Sequence, residues 1–390
     1  MVGSVKESEV AQTPRPWRGF ASRHGDWPFF SRLLACLTIP SLCCPGCRKI
    51  AASGQIAQPK YPAVANSHPG SVFGALLSDA SISPDGKYIA VAASIITASK
   101  LTSGFVDIIS WQNGGTSRIN NPHAGPLTTV RFSHDGKSIA TAGLDKTVRI
   151  WSVSTGNLVK TIPVRFETIG EVAFSPNDRY IAVAGGYLNL PDGSMEVYSV
   201  LTCRVYRAVQ RYKLGGVTCS YDPSGKLLAF GTASSAAILD ASSLHVKWKL
   251  PTDKEGVIST SFSDDGRMIA CATSETARVF DMASRKLRWS MAFPDGSLCG
   301  FALCSNGKAA VLGLSDSRII QADIVSGKVI KTIGLDSGPA KLDYGPAKSV
   351  RSASDGRHVV IATLYGRVVI LDAVTHRLVF DRSIVPRLPD

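Results

Sequence analysis

Four aspartates, Asp85, Asp135, Asp265 and Asp355, each precede a glycine in this 390-residue chain, and a carboxylate cluster is the first chemistry they bring to mind. Carboxylates serve acid–base catalysis or hold a cation only where they converge. Each of these stands between two runs of strand-forming residues, so turn chemistry accounts for it. The turns are expected on the outer part of separate units, where the four cannot meet. Gly136-Lys-Ser138 resembles the end of a phosphate-binding loop, but Arg131 occupies the position of the first glycine. No Gly-x-Ser-x-Gly, His-Glu-x-x-His or Cys-x-x-Cys-His occurs. The seven histidines lie far apart, with His134 and His358 at turns or strand starts, where structural roles are the default. Cys44-Pro-Gly-Cys47 has the spacing of a redox or metal pair, yet neither a flanking strand and helix nor a second pair accompanies it. Cys203, Cys219, Cys271, Cys299 and Cys304 have no regular spacing, mostly sit in apolar runs and read as small buried hydrophobes. No catalytic residue, metal site or cofactor is expected, and the chain reads as a non-enzyme.

The elements that position these residues fall into two regions. Residues 1–70 carry no repeat. A basic stretch (Arg15, Arg18, Arg23, Arg32) precedes the apolar run Leu33–Cys44, as in an export signal or organelle transit peptide, and Leu33-Leu-Ala-Cys36 resembles a bacterial lipobox. Arg48 and Lys49 stand where a cleavage region should be uncharged, so a disordered tail is the equal alternative. Nine cysteines, an odd number, favour a reducing, intracellular compartment for the remainder. The net charge of +13 is spread thinly beyond this leader. Its densest runs, Arg204–Lys213 and Arg285–Arg288, fall where outer strands are expected, and charges there discourage edge-to-edge pairing. No run of 18 uncharged apolar residues predicts a membrane-spanning helix.

From Ser71 the chain repeats itself. Thr129-Val-Arg-Phe-Ser-His-Asp-Gly-Lys-Ser-Ile-Ala-Thr-Ala-Gly143 reads as strand, turn, strand. Further copies begin near Ala80, Val172, Thr218, Thr260, Gly300 and Val350. The turn glycines (86, 136, 225, 266, 307 and 356, with Asp178 in the third copy) recur every 41 to 50 residues. A third strand follows, ending at Trp111, Trp151, Tyr198, Leu239, Phe280, Ala322 and Leu371, and then a fourth. That period predicts an all-β, seven-bladed β-propeller, with copies at about 71–120, 121–164, 165–212, 213–252, 253–293, 294–336 and 337–390. The first and seventh copies each contain four strands, so closure needs no strand exchange unless one is hidden. Six blades plus a divergent piece, or a lactonase-like or quinoprotein-like propeller, are the alternatives.

His123 and Asp145-Lys-Thr-Val-Arg-Ile-Trp151 resemble a WD40 repeat, and the resemblance covers about 320 residues as strand pattern. It implies a hydrogen-bonded structural tetrad of His123, Thr141, Asp145 and Trp151. Other copies lose most of it. Asp316 keeps the Asp position in the sixth, and Tyr365 stands there in the seventh. The resemblance implies a non-catalytic protein–protein interaction platform, a scaffold that binds a protein or peptide. A propeller enzyme whose channel residues come from several blades, or an electrostatic binder of nucleic acid or anionic membrane, are the alternatives. A phosphoinositide-binding propeller would carry Phe-Arg-Arg-Gly, which the chain lacks. The long connections 94–104, 185–193 and 331–348 are expected on one face, and repeat proteins bind partners on such faces. The candidate contacts there are Leu144, Tyr187, Thr273, Ser315, Leu364 and Tyr365. Oligomeric state and partner identity are not legible.

Overall fold

The computed structural model describes residues 72–97, 101–186, 192–213, 216–252, 256–295, 297–335 and 345–384. The leader, Cys44–Cys47 and Tyr187 lie outside the described residues. Blade 2 shows why the repeat folds as it does. Its strands are β5 (Leu127–Phe132), β6 (Ser138–Gly143), β7 (Thr147–Ser152) and β8 (Leu158–Pro163). Between the first two, the Gly136 N–H donates to the Ser133 carbonyl at 3.1 Å with φ +69°. Asp135 accepts from the Ser133 hydroxyl at 2.7 Å and the Lys137 N–H at 2.9 Å. Only a residue that tolerates the left-handed region closes this turn, and Asp178, at φ +55°, does so in blade 3.

Twenty-eight strands, β1 to β28 in chain order, form seven antiparallel sheets of four consecutive strands among the described residues. The first strand of each sheet lies innermost: β1 (Val72–Ile82), β5, β9 (Thr168–Phe174), β13 (Gly216–Tyr221), β17 (Val257–Phe262), β21 (Leu298–Cys304) and β25 (Ala347–Ser352). Each touches the next, and β25 touches β1, so the ring closes around a channel. The architecture is a seven-bladed β-propeller. Closure uses no exchanged strand, because blade 7 is β25 with β26 (His358–Thr363), β27 (Arg367–Asp372) and β28 (Arg377–Ser383).

Successive side chains of a strand leave opposite faces, so each blade feeds two seams. Ile139 joins the cluster against blade 1, and its neighbour Ala140 joins the one against blade 3. Seven apolar clusters fill the seven seams, one each, and the closing seam unites Leu77, Ile89 and Phe105 with Val360, Val368 and Ile370. Fully burying a side chain of this size contributes about 1.5–3 kcal/mol, so the seams carry the stability. Among the described residues no helix is long and apolar enough to cross a membrane.

Three local expectations change. The Asp-Gly turns leave the innermost strands and so cluster beside the channel, not on the outer part of the blades. Much of the long connections is strand: β2 (Tyr88–Thr97) and β3 (Leu101–Ser110) take up most of 94–104, and β24 (Val329–Gly334) absorbs the start of 331–348. Of the basic runs, Arg207 is on the outer strand β12 (Val205–Lys213) and Arg288 on β20 (Leu287–Ala292), but Arg204 and Arg285 sit in the preceding turns.

Candidate functional site

Three constellations carry the polar chemistry of the described residues. The first lies within blade 2. His123, in the connection before β5, is brought against β6 and β7 because the Leu144 N–H donates to the Pro126 carbonyl. His123 Nδ1 lies 2.9 Å from Asp145 Oδ1, its Nε2 lies 2.7 Å from Thr141 Oγ1, and the Trp151 indole N–H donates to the same hydroxyl at 2.9 Å. A neutral imidazole protonated at Nδ1 satisfies all of these bonds: indole to threonine, threonine to imidazole, imidazole to carboxylate. Burial alone would push the Asp145 carboxyl up. Bonds from His123, the Ala124 N–H and Thr147 overturn that and hold it below the usual carboxylate range. The unit is saturated within the blade and offers no open position to a ligand. Asp316 instead pairs with Arg318 at 2.6 Å.

The second constellation is the channel, whose charged residues repeat-pattern reasoning missed. Seven residues before each turn glycine, or Asp178, stand Asp79, Thr129, Glu171, Thr218, Ser259, Gly300 and Ser349. The register is polar in every copy but the sixth, which aligned copies would have revealed. Asp79 accepts from the Thr129 hydroxyl at 2.7 Å and the Ser349 hydroxyl at 2.6 Å. Two positions further along, Arg131 pairs with both Asp79 and Glu171, and Arg351 reaches Glu171 at 3.0 Å. Burial pushes Asp79 up, but Arg131, Arg351 and the two hydroxyls outweigh it and hold the carboxyl below its ordinary value. Beyond this plug, a cavity of about 230 Å³ opens toward the Asp-Gly turns, past Ser81, Ser220, Ser261 and His134. His134 and His358 bond to Asp178 and Asp355 respectively.

Beside that mouth, Asp264 Oδ2 is buried without a hydrogen-bond partner. Burial, and then the Asp355 carboxylate, raise the Asp264 pKa to about 6. An acid whose pKa is raised by folding destabilises the fold where it is charged, so stability falls as pH rises through about 4 to 6. Asp264→Asn is expected to raise the unfolding free energy at pH 7 by about 1 kcal/mol after solvent screening, read from chemical denaturation, with the gain vanishing near pH 4. An equal gain at both pH values would show that the titration is not its source.

The third constellation is the opposite face. There the connections between blades and the turns between second and third strands are tied together. Leu144 N–H bonds to Pro126 O at 2.9 Å, Ser315 to Ser297 at 2.8 Å, and Leu364 to Pro346 at 2.9 Å. Leu144, Ser315, Leu364 and Tyr365 are half-buried there. Thr273 corrects the expected set: it is 2% exposed, and its hydroxyl accepts from the Glu275 and Thr276 N–H groups of its own turn. It holds the loop from beneath and has no surface for a partner. The structure does not describe Tyr187.

No group of three or more His, Cys, Asp or Glu side chains gathers for a metal among the described residues. Burial pushes the Cys271 and Cys304 thiols up to about 12, which keeps both protonated at neutral pH.

The family model for the WD domain, G-beta repeat, matches residues 116–152. A periodic tryptophan protein 2 homolog of Dictyostelium discoideum is 24% identical over 164 residues, 42% of this chain and 17% of that protein. COMPASS component SWD3 of Saccharomyces cerevisiae is 28% identical over 120 residues, 31% of this chain and 34% of that protein. The WD repeat-containing protein sll1491 of Synechocystis is 31% identical over 101 residues, 26% of each. The chain thus spans about a third or less of the length of the curated relatives it matches.

Proposed function

This chain is a seven-bladed β-propeller of the WD40-repeat family, and from that premise we propose that it is a non-catalytic scaffold binding a protein or peptide on the face that carries Leu144, Ser315, Leu364 and Tyr365. One observation carries the choice of face: backbone hydrogen bonds weld its turns to the inter-blade connections. A partner there meets a preorganised surface and spends little on ordering loops. The half-buried Tyr365 on such a surface is of the residue type that anchors interfaces, and Leu144 and Leu364 beside it supply apolar area. One relative is a component of COMPASS, an assembly membership that fits the same role.

The test is capture of partners by the tagged full chain, wild type against Leu364→Arg and Tyr365→Ala, with melting curves for each. A stoichiometric partner whose affinity drops about tenfold or more in the variants supports this face. A partner held equally by variants and wild type places binding elsewhere. Capture that weakens steeply with added salt, with the variants unaffected, would point to the electrostatic reading instead.

A further inference from the structure

We infer that the Asp79–Arg131–Glu171–Arg351 network is a latch that closes the ring across the seam where the chain's first and last blades meet, in place of an exchanged strand. The placement of charge carries the inference. Over that register of the inner strands and the position two residues further along, charged residues occur only in blades 7, 1, 2 and 3 (Arg351, Asp79, Arg131 and Glu171), one continuous arc that straddles the closing seam. At the same two positions blades 4, 5 and 6 contribute only neutral residues: Thr218 and Ser220, Ser259 and Ser261, Gly300 and Ala302.

The bonds follow that arc. Ser349 of blade 7 reaches Asp79 of blade 1, Asp79 pairs with Arg131 of blade 2, and Arg131 pairs with Glu171 of blade 3 at 2.5 Å. Arg351 then returns from blade 7 to Glu171 at 3.0 Å, crossing the channel and skipping blades 1 and 2. Two guanidinium groups and two carboxylates balance, and the side chains of Asp79, Arg131 and Glu171 are all nearly buried, at 6%, 12% and 10% exposed. Other ties at this seam include one apolar cluster, as at every other seam, a Leu77–Leu364 backbone bond, a Trp111–His358 ring contact and a bond from Arg382 to the Thr116 hydroxyl at 3.1 Å. Without strand exchange, no chain connection joins the two blades at this seam, and the network spans it.

The test is hydrogen exchange on the full chain carrying Arg351→Met, which leaves Arg131 paired with both carboxylates and so keeps the fold. Amides of β1 and β25 are expected to exchange about tenfold faster, with those of β13 and β17 unchanged. Uniform acceleration in all blades, or none in β1 and β25, overturns the latch. A second readout is Arg131→Ala with millimolar methylguanidinium, which would refill the slot between the carboxylates. The melting temperature should rise with the ion in the variant and not in wild type. No rise, or an equal rise in both, overturns the assignment.

Discussion

Arg131→Met is expected to destabilise the propeller by roughly 3–5 kcal/mol, the largest effect of any single substitution proposed for this chain. The reason is what the change leaves behind. Asp79 and Glu171 are buried, and Arg131 is the guanidinium that both of them share. Without it two buried carboxylates lose their shared counter-charge, with Arg351 the one remaining guanidinium at Glu171. Chemical denaturation reads the loss directly. A quadruple variant, Asp79→Asn, Glu171→Gln, Arg131→Met and Arg351→Met, should recover part of the stability, because replacing a whole buried ionic network costs far less than breaking it. A loss below about 1 kcal/mol for Arg131→Met would mean that water or rearrangement already screens the pair. The pH dependence has a definite sign. Asp79 is held below its ordinary pKa by folding, so its contribution is present above about pH 4 and fades as pH falls through the folded value.

Thr141→Val is the second large effect, expected at roughly 2–3 kcal/mol. Valine fills the same volume but removes one oxygen that serves two partners, the Trp151 indole N–H and His123 Nε2. Trp151 is 7% exposed and the His123 side chain is fully buried, so neither finds water. Trp151→Phe removes the orphaned donor. The double variant Thr141→Val/Trp151→Phe should therefore cost less than the sum of the two single changes, a coupling that denaturation midpoints measure. Strict additivity would show that the hydroxyl and the indole act independently. Blade 2 is the only blade in which all four of His123, Thr141, Asp145 and Trp151 have counterparts bonded in this way among the described residues. A local opening of blade 2 in the variant is therefore the accompanying expectation.

The sequence by itself determined the blade. A turn that demands a left-handed residue, flanked by alternating apolar strands and repeated seven times, admits one solution, because each sheet can bury its two faces only against its neighbours. Gly136 and its equivalents, the Asp135 turn bonds and the apolar runs around Ile139 and Ile269 are local facts, and local facts are legible in order along the chain. The side-chain contacts made at ring closure were not. Asp79 and Ser349 are distant in sequence and 2.6 Å apart in space, and no local pattern states that these two side chains meet when the ring closes. The same holds for Arg351 reaching Glu171 across the channel. Side-chain direction within a loop was equally hidden: Thr273 belongs to the right turn by position, yet its hydroxyl turns inward to cap that turn. Periodicity specifies which strands pair. Which side chains meet across a channel depends on the curvature that seven blades accumulate, and that is a property of the closed ring alone.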